Sequence, residues 1–353
     1  MEHAITKHNV KFLGRTLEYK GIRWCGHSGS GISFTFHGKK LNIVLRGDNT
    51  TEGFESEGPA RIAVFVDHKR VVDQMMKEPL YDIAVIQSES DITATVEIVK
   101  LSECAMSVFG IKSIVTDETA TILPTPDKLH KIEFAGDSIT CGYGIDMNDP
   151  SVGFKTSTED TTKAYAYHTA MSLNADYSMV SFSGYGVVSG FTDTEEKNLH
   201  SLVPTFYEKV GFSYAHPLNE LVLEDIHWDF AQYQPEVVIV NLGTNDASYC
   251  KDIKERIDDY TNCYVAFLKM IRKHNKNATI IGTLGLMGQS LYPAIESAME
   301  QFKLETKDAN VYSVLLDEQK EEDGYVSDMH PSVKSNQKAS DTLSKAIKAI
   351  MNW

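Results

Sequence analysis

Four short stretches carry hydroxyl, amide and imidazole groups that could act together. Ser138 follows the apolar run that opens "KIEFAGDSITCGYG" (131–144); Gly184 lies in "SFSGYG"; Asn245 and Asp246 close "NLGTND"; His330 sits in "DMHPSVKSN". A serine hydroxyl is a weak nucleophile until a neighbouring base accepts its proton. His330 is the best candidate for that base, in a short polar loop where Pro331 restricts the backbone beside it. The Asn245 amide can donate to an oxygen that gains negative charge, and the backbone N–H groups of Ser138 and Gly184 could be the other donors of a three-donor hole. Such a set suits acyl transfer to water. Each part also has a plainer reading: Ser138 as a turn serine capping a helix, and "GTND" as an Asx-turn. Asp137 should point away from the Ser138 side chain and brace the loop, and Asp246 is read the same way.

These groups need a scaffold, and the chain's patterning supplies one. Residues 1 to about 120 alternate with period two: "GISFTFHG", "LNIVLRG", "RIAVFVDHKR", "YDIAVIQ" and "ATVEIVKL" read as strands of an antiparallel sandwich, with "DHKR" as a hairpin turn. "ETATILPTPDKLH" reads as a linker. Beyond it, strands at "HKIEFAG", "DYSMVSFSG", "PEVVIVNLGTND", "NATIIGTLG" and "NVYSVLLD" alternate with helical stretches at 161–173, 251–273 and 335–350. That alternation is the grammar of an α/β domain with a parallel sheet. Two domains are expected, 1–122 and 123–353, since 353 residues exceed the usual single core. In open α/β sheets ligands bind beyond the carboxyl ends of the strands. Ser138, Gly184 and Asn245 each follow such an end, and His330 precedes the last helix.

The rest of the composition narrows the partners. A net charge of −15 disfavours nucleic acid and anionic membranes. No stretch approaches the length of a membrane span. The N-terminus "MEHAITKHNV" shows no signal peptide, so the chain as given reads as cytoplasmic; a secreted protein shorn of its leader would read the same. Five widely spaced cysteines without a C-x-x-C pair argue against a disulfide framework, and no His-Glu-x-x-His pattern or cysteine cluster suggests a metal. No cofactor is expected. His227 and Trp228 are read within a helix. The segment 185–234 is rich in aromatic residues, Gly and Pro. Tyr185, Phe206, Tyr207 and Trp228 are its candidates for stacking on a ligand ring, Tyr185 and Trp228 foremost, with core packing or contact between subunits of a homo-oligomer as the competing readings.

At this point the residues resemble a known family. "AGDSIT" (135–140), Gly184, "GTND" (243–246) and "DMHP" (328–331) match, in order, the four blocks of SGNH-type, or GDSL-like, hydrolases. The stretch "WCGHSGSGISFTFHGKKLNIVL" (24–45) ahead of them resembles the two-domain carbohydrate esterase family 2. The resemblance implies a jelly-roll sandwich, carbohydrate-binding-like, joined to a three-layer α/β/α SGNH domain. It also implies an acetylated carbohydrate substrate such as xylan, Ser138 as nucleophile, His330 as base, and Ser138, Gly184 and Asn245 as the oxyanion hole. The chain departs from the pattern in one place. The third acid of SGNH enzymes commonly stands three residues before the histidine, where this chain has Ser327, and Asp328 follows it. Either Asp328 reaches His330 as an orienting acid, or a backbone carbonyl orients the imidazole, as in some family members.

Three other functions fit less well. "GHSGSG" (26–31) has the wrong glycine spacing for a dinucleotide site and is followed by strands. A non-catalytic carbohydrate-binding protein with a degenerate hydrolase domain is opposed by the intact Ser138, Asn245 and His330. Action on other short-chain or lipid esters is opposed only by the jelly-roll resemblance.

Overall fold

Period-two burial in the first third of the chain folds into one curled, jelly-roll-like antiparallel sheet. The computed structural model describes residues 1–53 and 58–353, and ten of the strands among them join in this sheet. Ile32, Phe34 and Phe36 all face inward and sit opposite Ile98, Val96 and Ala94 on the neighbouring strand. The stretches read as separate strands, "GISFTFHG" and "LNIVLRG", are one strand, Gly31–Gly47. "YDIAVIQ" and "ATVEIVKL" likewise lie in a single strand, Leu80–Lys100. Register shifts at Gly38/Lys40 and Leu41/Asn42 let the pair bend without breaking. The "DHKR" turn is a two-residue hairpin. Asp67 and His68 both have positive φ (47° and 65°), the conformation that matches strand twist.

Part of the stretch read as a linker is also a strand. Thr121–Pro124 pairs with Phe34–His37 of the same sheet, and Pro124 is tolerated as its terminal residue. The chain divides into two compact units. One is Met1–Asp127 with Lys155–Glu159 and Lys209–Trp228; the other is Lys128–Phe154, Asp160–Glu208 and Asp229–Trp353. His227 is not in a helix but bridges to Lys209.

The second unit is built on a five-stranded parallel sheet in the order Ala175–Ser181, His130–Gly136, Val237–Asn241, Thr279–Leu286, Val311–Glu318. Val237–Asn241 and Thr279–Leu286 are buried throughout, and for the first of them that burial is why it reads as a nearly unbroken apolar run. Helices Tyr165–Ser172 and Val333–Met351 cover one face, where Tyr165, Ala170, Leu343 and Ile347 join Ile132, Phe134 and Ile239 in one core. Helix Lys254–His274 turns Tyr260, Tyr264, Phe267, Leu268 and Ile271 inward, one helical stripe. Its Tyr260 and Tyr264 hydroxyls donate to the carbonyls of Leu242 and Val240. Among the described residues no helix is long and apolar enough to cross a membrane.

Register explains how distant residues converge. Gly136 lies level with Ser181 on one side and with Asn241 on the other. Ser138, Gly184 and Asn245 follow those three residues by two, three and four positions. The chain leaves His130–Gly136 for one neighbour and later returns to the other, so Ser138 stands at a topological switch point. Helix Val333–Met351 anchors the loop that bears His330. Burial of Leu343 and Ile347 in it contributes about 1.5–3 kcal/mol each.

Candidate active site

Ser138 is held at the first turn of a short helix, Ser138–Cys141. Asp137 is extended and caps that helix, its carboxylate accepting from the Ile139 N–H at 3.0 Å. Gly136 is required by close approach: a Cβ there would stand 2.1 Å from the Thr140 hydroxyl oxygen. The strand thus ends on an acid and a hydroxyl because the acid closes the turn and the hydroxyl is left to face the cavity.

The His330 Nε2 lies 2.8 Å from Ser138 Oγ. Its Nδ1 faces two backbone carbonyls, Ser327 at 3.1 Å and Asp328 at 3.2 Å. Carbonyls only accept, so Nδ1 carries the hydrogen and Nε2 is left to accept from the serine hydroxyl. The Asp328 carboxylate turns elsewhere and accepts from the Tyr143 hydroxyl at 2.5 Å. Of the two arrangements left open by the sequence, the carbonyl one is present. Asp328 adopts φ 49°, ψ 41°, which directs its carbonyl inward.

Asn245 Nδ2 donates to the Tyr185 carbonyl at 2.9 Å and, less closely, to Asp137 Oδ2 at 3.3 Å. Gly184 has φ +82°, a region that favours glycine. The buried Asp246 carboxylate accepts from the N–H groups of Val187, Val188 and Ser189 at 2.7–3.1 Å, pinning the segment after Gly184. Among the described residues, neither the Ser138 nor the Gly184 N–H is given to a backbone carbonyl. Ser138, Gly184, Asn245, Asp328 and His330 all line one cavity of about 460 Å³. Its remaining lining, Tyr143, Phe191, Thr244, Ser248 and Met287, escaped the sequence reading. Tyr143 lies inside the serine block itself, the one signal that could have found it.

Residues 134–343 match the model of the GDSL-like Lipase/Acylhydrolase family. The chain belongs to that family. A second family model, Carbohydrate esterase 2 N-terminal, matches residues 12–126 of this GDSL-like hydrolase. Among solved structures it is similar to an acetyl xylan esterase from the rumen bacterium Butyrivibrio proteoclasticus, with 26% identity, a TM-score of 0.89 and coverage of 99% of this chain and 98% of that one. Among curated proteins it is 25% identical, over 93% of its length, to the Cellulase/esterase CelE of Acetivibrio thermocellus. It is 31% identical, over 53% of its length, to an Acetylxylan esterase / glucomannan deacetylase of Cellvibrio japonicus. The hydrolase spans only 38% and 51% of the lengths of those two relatives. It is closely related to the two-domain carbohydrate esterase family 2.

Tyr185 and Trp228, the foremost of the aromatic residues expected to stack on a ligand, lie differently in this GDSL-like hydrolase. The Tyr185 ring is buried against Phe182 and Phe206, and its carbonyl serves Asn245. Trp228 belongs to the first unit, buried beneath the Arg15 guanidinium. Neither ring is offered to solvent; the exposed aromatic ring at the cavity is Phe191, 61% exposed.

Burial pushes the His330 pKa down to about 4, against the opposing pull of the Ser327 and Asp328 carbonyls and the Asp328 charge. Only the neutral ring can accept the serine proton, so lowering this value widens the active range. The acidic limb of kcat/KM for p-nitrophenyl acetate is therefore expected near pH 4, with activity lost as pH falls through it. A limb at about 6.5, the value of a free histidine, would show that the imidazole is solvated in solution.

Proposed function

We propose that the protein removes O-acetyl groups from xylan, xylooligosaccharides or related plant polysaccharides through an acetyl-enzyme intermediate. The observation that carries the chemistry is the 2.8 Å contact of His330 Nε2 with Ser138 Oγ, with Nδ1 held by carbonyls. His330 takes the serine proton as Oγ attacks the acetyl carbonyl carbon. The N–H groups of Ser138 and Gly184 and the Asn245 amide receive the oxyanion. The C–O bond to the sugar breaks, and His330 returns the proton to the departing alkoxide. Water then attacks the acetyl-serine, giving its proton to His330, and acetate leaves as Ser138 is reprotonated.

The carbohydrate assignment is supported by the names of the relatives and by the first unit's match to the Carbohydrate esterase 2 N-terminal family. A second reading, short-chain or lipid esters, is favoured by the apolar Met287 and Phe191 in the cavity lining. One panel separates them: kcat/KM for acetyl, butyryl and octanoyl p-nitrophenyl esters, with acetate release from acetylated xylooligosaccharide. Each methylene that fails to fit costs about 1–3 kcal/mol. Acetyl is expected to exceed butyryl by at least tenfold, with acetate released from the sugar. A preference for octanoyl with no acetate from the sugar would overturn the carbohydrate reading and leave the serine hydrolase intact.

A further inference from the structure

Tyr143 makes three contacts that bear on the base. Its ring lies flat against the His330 imidazole, with centroids 4.0 Å apart and planes at 19°. Its hydroxyl donates to the Asp328 carboxylate at 2.5 Å. Its own N–H donates to the Ser138 carbonyl at 3.1 Å, tying it to the turn that carries the nucleophile. Phe154 packs against the tyrosine ring, with centroids 4.9 Å apart. One residue therefore spans the loops of nucleophile and base.

The need for such a residue follows from what faces Nδ1. In a Ser-His-Asp triad the acid both orients the imidazole and stabilises the imidazolium that forms when the serine proton arrives. Here two neutral carbonyls do the orienting, and they bring no net charge. The face of an aromatic ring attracts a cation within about 6 Å of its centroid. The Tyr143 ring meets that condition for the protonated base, and its hydroxyl holds the nearest carboxylate in the same neighbourhood. The charged and titratable groups that bear on the imidazole are the Asp328 carboxylate and the Tyr143 phenol; Ser327 contributes its backbone, and Ser138 its hydroxyl.

We propose that Tyr143 is a positioning residue for the base, fixing the plane of His330 and stabilising its imidazolium through the ring face and the Asp328 carboxylate it holds. The proposal rests on the serine-hydrolase reading of the site. It divides between two groups the work that a third acid performs elsewhere. It also explains why Asp328 can be displaced from the position expected of a triad member: its carbonyl orients the ring, while its charge is set beside the ring by the tyrosine.

The test compares Tyr143→Leu, Tyr143→Phe and Asp328→Asn with the wild type on p-nitrophenyl acetate. It reads kcat, KM and the acidic limb of kcat/KM, within the pH range where circular dichroism shows each variant folded. Tyr143→Leu is expected to lower kcat about 3- to 30-fold with KM nearly unchanged. It should also move the acidic limb to lower pH, by about 0.5–1.5 units, because the protonated base has lost support. Tyr143→Phe keeps the ring face and should fall between Tyr143→Leu and the wild type. Asp328→Asn should shift the limb in the same direction by less. A merely structural role would loosen the loop, admit water and move the limb upward, toward the value of a free histidine. An upward or absent shift, or a Tyr143→Leu kcat within twofold of wild type, overturns the proposal. Ser138→Ala is the control: if it stays active, the serine-hydrolase reading has failed, whereas an inactive Ser138→Ala beside a wild-type-like Tyr143→Leu sinks this inference alone.

Discussion

Ser138→Ala leaves a folded protein whose turnover of p-nitrophenyl acetate falls to near background. Loss of a serine nucleophile that works with a histidine base costs on the order of 10⁶-fold in kcat. The fold is expected to survive because the residue's structural duties are borne by its backbone and neighbours. Asp137 caps the short helix, and the main chain of Ser138 accepts from Gly142 and Tyr143. The side chain makes one hydrogen bond, to His330 Nε2, and that bond is the one the proposed proton transfer uses. Circular dichroism with steady-state kinetics checks both halves of the statement. Purified, folded Ser138→Ala with turnover within tenfold of wild type would remove Ser138 as the nucleophile.

Asn245→Ala is expected to lower kcat by about 10²–10³-fold with KM nearly constant, the pattern of a group that acts on the transition state. The geometry says how the amide is available. Its shorter bond, to the Tyr185 carbonyl, holds the side chain in place, while its contact with Asp137 is long at 3.3 Å. Burial, with Asp246 adding to it against the bond from the Ile139 N–H, pushes the Asp137 pKa up to about 7. A carboxyl that is partly neutral at pH 7 is a weaker acceptor, so this hydrogen can be redirected toward an oxyanion. Asn245→Asp sharpens the test by replacing a donor with an acceptor of negative charge; it should lose more than the alanine variant. Loss of one buried hydrogen-bond partner costs about 1–3 kcal/mol of stability, so thermal melts accompany the kinetics. A drop confined to KM would assign Asn245 to substrate binding.

The parts legible in the sequence were those written in local pattern. Strands buried on both faces, such as Val237–Asn241, announce themselves as apolar runs. The blocks around Ser138, Gly184, Asn245 and His330 could be read together because a parallel sheet brings successive strand ends to one edge. What stayed hidden depends on contacts between residues far apart. Nothing local in 209–228 marks it as part of the first compact unit. The merging of "GISFTFHG" and "LNIVLRG" into one strand turns on bulges that appear only with a partner strand. Tyr143 is one of 16 tyrosines, in a turn without periodicity, and its value lies in a ring stack with a residue 187 positions away. Tyr185 and Trp228 look like surface aromatics in a loop-rich stretch, yet both are buried, because loops of this length can carry their own packing.

The carbonyls that face His330 Nδ1 change what mutation can reach. A catalytic carboxylate can be erased by a single codon change; a main-chain carbonyl is present whatever the codon. For the orienting role, substitution at positions 327 and 328 is therefore limited by backbone shape more than by side-chain chemistry. Asp328 (φ 49°) and Met329 (φ 61°) are consecutive left-handed residues, and the inward aim of the Asp328 carbonyl belongs to that backbone. Asparagine or glycine at 328 can inherit the conformation, whereas valine or isoleucine cannot hold it without strain. The orienting device is thus robust to loss of charge and fragile to branching at Cβ, the reverse of the vulnerability that a conventional third acid would carry.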